Sequence, residues 1–238
     1  MKKAIVVSHE RSGTHFLINT IIKNFGYSDG WVDFPRFNKM PNDAEWYDNY
    51  RAKVRSFCAG SGGKKVFKTH HQVEFFESYI DDFLENFSVF YIIRDPRDVG
   101  VSCFYYFNRH GKDFPVTKSV GDLLLRTKPY EYAWDSGRSI VKSESLVDRW
   151  CVHVSGWKKY NVHIIKFSDL KRHFNGTVFN IGKVLGKPIG SIITPSLNHN
   201  VIESRAGREG DWKSHLSSED NERVVKIVGK YGLGEFLG

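Results

Sequence analysis

Short apolar runs alternate along the chain with longer segments in which apolar residues recur every three or four positions. Runs rich in β-branched and aromatic residues are typical of buried parallel strands, and strands are predicted at Ala4–Val7, Lys65–Lys68, Ser88–Ile93 and Val162–Phe167. Helical periodicity predicts helices at Leu17–Ile22, Val73–Leu84, Val99–Arg109, Glu144–Tyr160, Phe174–Leu185 and Ser217–Tyr231. Because strands alternate with helices, the sequence predicts an α/β fold with a doubly wound, mainly parallel sheet flanked by helices.

Two long stretches lack a sustained periodicity and carry many aromatic residues together with Pro or Gly: Tyr27–Gly63 and His110–Ser143. Within the first of them a helix is predicted over Asp43–Phe57. Insertions of this length in a compact domain are often functional and lie over a site. We therefore expect both stretches to cover a ligand.

The first predicted strand ends in a polar loop, Ser8–Thr14, that leads directly into the first predicted helix. Backbone N–H groups at a helix N-terminus lack internal partners and lie at the positive end of the helix dipole, which suits an anion. Gly13 allows close approach of the backbone, Arg11 adds a positive charge, and Ser12 and Thr14 add hydroxyl donors. A standard P-loop places its Lys after the last Gly, whereas Arg11 precedes Gly13. The loop predicts a P-loop-like anion site, with a plain strand-to-helix turn as the alternative.

The overall composition is that of an ordinary globular protein, and we expect a single domain over residues 1–238. The net charge of +8 favours an anionic ligand, although Lys and Arg are dispersed and form no long basic block. This dispersal argues against a nucleic-acid partner.

The cysteines and the apolar runs bear on the compartment. Cys58, Cys103 and Cys151 are odd in number and widely spaced, which argues against a disulfide framework and a zinc site and fits a reducing compartment. The N-terminal apolar run is too short for a signal peptide, and no stretch reaches the length of a membrane span. We expect a cytoplasmic protein with no membrane partner.

Polar clusters follow several of the predicted strands. They are Arg11–Thr14, Lys68–His70, and Arg94 with Ser102. In open α/β sheets, ligands bind beyond the carboxyl ends of the strands. All of these clusters should therefore face one crevice.

At these positions the chain resembles the sulfotransferases that use 3′-phosphoadenosine 5′-phosphosulfate (PAPS). Ser8–Leu17 resembles the 5′-phosphosulfate loop of that family, and Tyr91–Phe107, YIIRDPRDVGVSCFYYF, resembles its 3′-phosphate motif. Arg205–Lys213, RAGREGDWK, is similar to the C-terminal loop that closes over the nucleotide. The resemblance spans the chain and implies a sulfotransferase domain that transfers a sulfuryl group from PAPS to a hydroxyl or amine acceptor.

The resemblance also implies which residues bind PAPS and the product adenosine 3′,5′-bisphosphate. Arg94 and Ser102 would hold the 3′-phosphate together with the C-terminal loop. Two aromatic residues stand where many members contact the purine, Phe16 in place of a Trp and Phe167 in place of a Tyr. The implied nucleotide contacts are Arg11, Ser12, Gly13, Thr14, His15, Phe16, Arg94, Ser102, Phe167, Arg205, Ala206 and Gly207.

The implied catalytic residues are His70, Arg11 and Lys68. Lys68-Thr69-His70 resembles the Lys-Thr-His of cytosolic members, in which the His is the general base, and a neutral imidazole suits that role near neutral pH. Arg11 stands where many members have a catalytic Lys and resembles the Arg of the tyrosylprotein branch. Its charge would stabilise the oxygen between sulfur and the leaving phosphate, and Lys68 could support the same oxygen. The resemblance thus requires no metal.

The acceptor and the assembly are less well defined by the sequence. Covering stretches rich in Tyr and Trp suit a small or medium organic acceptor with a hydroxyl or an amine. The dimer segment of many cytosolic members keeps its Lys and Glu here, at Lys213 and Glu222, but Ser217-Ser218 replaces its Thr-Val pair. The oligomeric state therefore stays open.

Two other classes of protein are alternatives. A P-loop-type nucleotide-dependent kinase would need the Gly-Lys-Ser/Thr signature and a magnesium-binding Asp, and the sequence offers neither clearly. A basic nucleic-acid-binding module would fit the net charge but would not explain the polar strand ends. The sulfotransferase interpretation explains both the net charge and the polar strand ends.

Overall fold

The computed structural model describes residues 3–34, 52, 65–112, 114–132, 141–196 and 207–238. Its strands are β1 (Lys3–Val7), β2 (Trp31–Asp33), β3 (Val66–Thr69), β4 (Phe87–Ile93) and β5 (His163–Lys166). They form a five-stranded sheet in the order β2-β3-β1-β4-β5, and every pairing is parallel. The predicted α/β fold with a parallel sheet is confirmed.

Most of the helices lie close to the predicted segments. They are α1 (Thr14–Phe25), α2 (Ile80–Asn86), α3 (Pro96–His110), α4 (Val120–Arg126), α5 (Leu146–Lys158), α6 (Phe167–Arg172), α7 (Phe174–Leu185) and α8 (Ser218–Lys230). Local signals fix several ends. Gly26 ends α1 in the left-handed conformation, Pro96 occupies the first turn of α3, and Ser217 caps α8 by accepting a hydrogen bond from the Asp220 N–H.

Helices cover both faces of the sheet. In β1, Ala4 and Val6 pack with residues of α1 and α7, whereas Ile5 and Val7 pack with residues of α3, α4, α5 and α8. This alternation follows from the two-residue period of a strand. All residues of β4 are buried, as expected for a strand that is covered on both sides. The doubly wound arrangement is thereby confirmed.

The structure differs from the predicted elements in a few places. Strand β2 was not predicted, because it has only three residues and two of them are exposed at the sheet edge. Helix α4 lies in a stretch that was predicted to be irregular, although Ser119 caps it by accepting from the Asp122 N–H. The predicted helix over Val73–Leu84 is instead two 3₁₀ turns followed by α2. The helix predicted over Asp43–Phe57 lies, apart from residue 52, outside the described residues.

The order of the strands places the polar clusters side by side. Strand β1 lies between β3 and β4, so the carboxyl ends of all three meet at one edge of the sheet. This edge is where the candidate site lies. Among the helices that the structure describes, none is long and apolar enough to cross a membrane.

Candidate active site

The loop between β1 and α1 has an unusual backbone. Arg11 adopts a positive φ of 64° and Gly13 one of 99°. Residues with a Cβ rarely adopt such positive φ values. A Cβ on Gly13 would also overlap the ring of Phe167. Glycine is therefore required at this position, both for the backbone conformation and for the close packing.

The N-terminus of α1 is built in a way that suits an anion. Its cap residue is Gly13, its first turn contains no acidic residue, and no side chain caps it in the described part of the chain. The first N–H groups of such a helix point out of it without intrahelical acceptors. The hydroxyl of Ser12 is buried and has no hydrogen-bond partner among the described residues. A buried hydroxyl left unpaired is a feature that a bound ligand would explain.

The parallel pairing of β1 and β4 brings two predicted motifs into contact. Nη1 of Arg94 donates to the Arg11 carbonyl oxygen at 3.4 Å, and Nε of Arg11 donates to Oγ of Ser102 at 3.1 Å. The guanidinium of Arg11 also lies over the ring of Tyr106, 4.5 Å from its centroid. The prediction that the first loop and the 3′-phosphate motif lie on adjacent parallel strands is confirmed.

Arg94 connects this edge to the C-terminal loop. Its Nη2 donates to the Arg208 carbonyl oxygen at 2.7 Å, whereas its buried Nε has no partner among the described residues. Burial lowers the pKa of Arg94, and the nearby carboxylate of Asp98 opposes this shift. Gly207 lies against Phe167, since a Cβ there would be 2.8 Å from the ring. Of the predicted nucleotide contacts in this loop, Arg205 and Ala206 lie outside the described residues.

The two aromatic residues predicted to contact the purine lie close together. The ring centroids of Phe16 and Phe167 are 6.4 Å apart with an edge-to-face orientation. The ring of Phe167 also faces the guanidinium of Arg94 at 5.0 Å. Both rings are largely buried, so in this structure they close the side of the loop around Gly13.

His70 follows β3 and is attached to the first loop. Its Nδ1 donates to the Ser8 carbonyl oxygen at 2.8 Å and lies 3.2 Å from the Ser8 hydroxyl. A proton on Nδ1 makes Nε2 the basic nitrogen of the neutral ring. The Ser8 hydroxyl in turn lies 2.7 Å from the Thr14 hydroxyl. The predicted base and the predicted anion loop are thus joined directly.

Lys68 lies on the other side of the same edge. Its Nζ forms an ion pair with Asp33 at 2.8 Å and approaches Nε2 of His15 at 3.4 Å. The ring of His15 stacks against Trp31 with a centroid distance of 4.5 Å. Burial, assisted by the charge of Lys68, lowers the pKa of His15 to about 4. His15 is therefore neutral near pH 7 and contributes no charge to the site.

Several residues behind the site were not singled out from the sequence. Arg149 is fully buried and forms a two-pronged ion pair with Glu10, with Nη1–Oε2 at 2.6 Å and Nη2–Oε1 at 3.2 Å. Asp98 accepts hydrogen bonds from the N–H groups of Gly210 and Trp212, which attaches the C-terminal loop to α3. A signal existed for Arg149, because an Arg on the apolar face of an amphipathic helix needs a buried partner.

The described residues contain no cluster of three or more His, Cys, Asp or Glu side chains that could hold a metal ion. The site they form is instead cationic, with Arg11, Arg94 and Lys68 around an uncapped helix N-terminus. Cations and N–H groups in this arrangement favour phosphate or sulfate groups.

Fold and site together define an α/β domain with a P-loop-like, cationic site. The family model described as "Sulfotransferase domain" matches residues 1–232. The chain therefore belongs to the sulfotransferase family. It is an enzyme of the class predicted from the sequence, the PAPS-dependent transferases.

Known relatives agree with this assignment. Sulfotransferase 2B1 of Mus musculus is 23% identical over 93% of this chain and 69% of the relative. Sulfotransferase 2A6 of the same species is 22% identical over 94% of this chain and 81% of the relative. The sulfuryl-transfer activity implied by the sequence is confirmed at this general level.

Solved structures show the same fold. Mouse sulfotransferase SULT7A1, complexed with PAP, aligns with a TM-score of 0.62 and 18% identity over 97% of this chain and 84% of that chain. Retinol dehydratase, in a complex with retinol and PAP, aligns with a TM-score of 0.58 and 19% identity over 97% of this chain and 82% of that chain. At these identities the likeness concerns the fold.

Proposed function

We propose that this enzyme transfers a sulfuryl group from PAPS to a hydroxyl or amine of a small or medium organic acceptor, with His70 as the general base. The observation that carries the proposal is the hydrogen bond from Nδ1 of His70 to the Ser8 carbonyl oxygen at 2.8 Å. It holds the base on the same short loop as Arg11. A base and a charge-stabilising cation fixed to one loop suit a single displacement reaction.

The residues of this edge fit the two anionic ends of PAPS. In this proposal Arg94 and Ser102 would hold the 3′-phosphate, and the α1 N-terminus with Ser12 would hold the 5′-phosphosulfate. Nε of Arg94 and Oγ of Ser12, which are buried and have no partner in the part of the chain that the structure describes, support this fit, because a phosphate or sulfate oxygen would satisfy buried donors of this kind. PAPS supplies the activated sulfuryl group when it is bound.

His70 would move one proton. The neutral tautomer with hydrogen on Nδ1 presents Nε2 as the acceptor of the proton from the attacking hydroxyl. Arg11 cannot release a proton and would act through charge and hydrogen bonding on the oxygen of the leaving phosphate. Lys68 would add to that charge, although its ion pair with Asp33 reduces what it can contribute.

Structural neighbours support an organic hydroxyl acceptor. Retinol dehydratase was solved with retinol and PAP, and also with androsterone and PAP. Both compounds are small and apolar and carry a hydroxyl. The ring of Tyr106, which lies against the guanidinium of Arg11, suits an acceptor with an apolar body.

The experiment measures transfer from sulfur-labelled PAPS to a series of phenols of falling pKa, with wild type, His70→Ala and Arg11→Ala. We expect His70→Ala to lower turnover by ~10²–10⁴ with weakly acidic phenols, the usual effect of losing a general base. Acidic phenols need less help from a base and should partly rescue it. Arg11→Ala should lose turnover with every phenol and also bind PAPS less tightly, since Arg11 meets the anion before and during the reaction.

Two results would contradict the proposal. The first is an equal loss for every phenol in His70→Ala, and the second is a loss of nucleotide binding in that variant. His71→Ala is the matched control. His71 follows the same strand as His70, but its Nδ1 lies 2.7 Å from the Thr69 hydroxyl and not at the first loop. It should not change the dependence of the rate on phenol pKa.

A further inference from the structure

One face of α5 binds both segments of the proposed reaction centre, the loop that carries Arg11 and the segment that carries His70. Arg149, His153 and Trp157 are spaced four residues apart on this helix and are all buried; we call them the α5 stripe. We infer that the α5 stripe contains positioning residues for sulfuryl transfer: Arg149 fixes the loop that carries Arg11, and His153 and Trp157 fix the segment that carries His70. This inference rests on the proposed roles of Arg11 and His70.

Arg149 holds the first loop at two points. Its guanidinium forms the buried ion pair with Glu10 and also donates from Nη1 to Nε2 of His9 at 2.7 Å. The next residue, Arg11, adopts its positive φ of 64°. A residue other than Gly keeps this conformation only where its surroundings fix it. Arg149 fixes the chain just before Arg11, and Arg94 binds the carbonyl of Arg11 itself.

His153 and Trp157 hold the segment after β3. Nε2 of His153 donates to the His70 carbonyl oxygen at 3.3 Å, and the indole N–H of Trp157 donates to the His71 carbonyl oxygen at 3.0 Å. Nδ1 of His153 accepts from the Tyr91 hydroxyl at 2.7 Å, which fixes the orientation of the His153 ring. The backbone of His70 is thus anchored to the same helix as the loop of Arg11.

A purely stabilising role explains this arrangement less well than a positioning role. Replacing a buried ion pair by apolar residues of similar size is often neutral for stability, so such pairs are weak evidence for a gain in stability. Here the pair joins a rigid helix to the residue that precedes the cation of the site. A displacement of about 1 Å between reacting groups can cost roughly 100-fold in rate. The α5 stripe sets that separation.

The test compares Arg149→Lys with the exposed control Arg126→Lys. Both arginines bind carboxylates, and Arg126 pairs with Asp122 and Asp220 on the outside of the molecule. Lys keeps the charge of Arg149 but loses its fork geometry. We expect Arg149→Lys to lower kcat roughly 10- to 100-fold, while the Kd of adenosine 3′,5′-bisphosphate changes by less than about threefold. Arg126→Lys should leave both unchanged.

The phenol series measures how the rate depends on phenol pKa, and a purely structural role of Arg149 would not change this dependence. Ser8, whose carbonyl oxygen holds Nδ1 of His70, lies two residues before Glu10, so a loop released from Arg149 displaces the base as well as Arg11. Arg149→Lys should therefore lose turnover with every phenol and lose most with weakly acidic ones. An unchanged kcat per folded protein, or an equal loss for all phenols, would overturn the inference. If Arg149→Lys does not fold, Glu10→Gln tests the same ion pair and should show the same dependence on phenol pKa. The proposed function has a separate criterion: if His70→Ala retains full turnover, it is the proposed function that fails.

Discussion

The two halves of the site differ in how completely their polar groups are paired. The nucleotide half lies at the ends of β1 and β4 and comprises Arg11, Ser12, Gly13, Arg94 and Ser102. The base half lies at the end of β3 and comprises Lys68, Thr69 and His70. In the nucleotide half, Oγ of Ser12 and Nε of Arg94 are buried without a partner among the described residues. In the base half, Lys68 pairs with Asp33, Nδ1 of His70 with the Ser8 carbonyl oxygen, and the Thr69 hydroxyl with Nδ1 of His71.

This difference indicates that the nucleotide half is completed by a ligand, whereas the base half is assembled before a ligand binds. Unpaired buried donors cost free energy, and they persist in a protein where a ligand satisfies them. Groups that assist chemistry gain from being oriented before the substrate arrives. We therefore expect ligand binding to depend mainly on the nucleotide half and the rate of transfer to depend also on the base half.

The largest expected effect compares the cations of the two halves in nucleotide binding. Arg94→Ala should raise the Kd of adenosine 3′,5′-bisphosphate roughly 10- to 100-fold, because a hydrogen bond to a charged group contributes about 1.5–3 kcal/mol. Lys68→Ala should change it by less than about threefold, since Asp33 already neutralises Lys68. Calorimetric titration or thermal-shift titration measures both.

Equal losses in these two variants would break the comparison between the halves. Ser102→Ala is a milder variant of the nucleotide half, and it also frees Arg11 from its hydrogen bond to Oγ of Ser102. Its effect on Kd should fall between those of Arg94→Ala and Lys68→Ala.

The nucleotide half was predictable from the sequence to a large extent. Its loop and helix N-terminus lie in one short stretch, Ser8–Thr14, where a strand pattern changes into a helix pattern. Arg94 directly follows the most apolar strand of the chain. Because parallel strands align their carboxyl ends, two local motifs were enough to predict one joint site.

The base half was predictable only in part. The position of His70 could be assigned, but its support joins residues that are far apart in sequence, 62 positions for Ser8 and His70 and 139 for Glu10 and Arg149. No local pattern encodes such pairs. Strand β2, which carries the Asp33 that pairs with Lys68, was not predicted either, because it has only three residues.

The next expected effect concerns the backbone of the nucleotide half. Gly13→Ala should lower the free energy of unfolding by about 1–3 kcal/mol, because a Cβ at this position overlaps Phe167 and the left-handed backbone is strained for Ala. Gly176→Ala is the matched control in α7, where a Cβ would meet nothing within 4 Å. It should raise that free energy by about 0.5–1 kcal/mol. Urea denaturation of both variants gives the values.

A tolerated Gly13→Ala would mean that the loop can relax away from Phe167. The close packing of the loop against Phe167 would then not be required for the fold. Nucleotide affinity measured on the same variant distinguishes a loop that relaxes with its site intact from one that loses the site.

The smallest expected effect tests, through pH, the contact between His15 and Lys68 at the edge of the base half. The pKa of His15 is lowered to about 4 by burial and by the charge of Lys68, whereas an unfolded chain has a His pKa near 6.5. Between these values the unfolded state binds the additional proton, so the contribution of His15 to stability is complete above pH 6.5 and is lost as the pH falls toward 4.

His15→Gln removes this titration, so the difference in Tm between wild type and variant should shrink or change sign as the pH is lowered from 7 to 4. Carboxylates that titrate in the same range affect both proteins and cancel in the difference. A constant difference for His15→Gln would mean that His15 is not held neutral by Lys68 and its burial. The base half would then be less rigidly assembled than its contacts indicate.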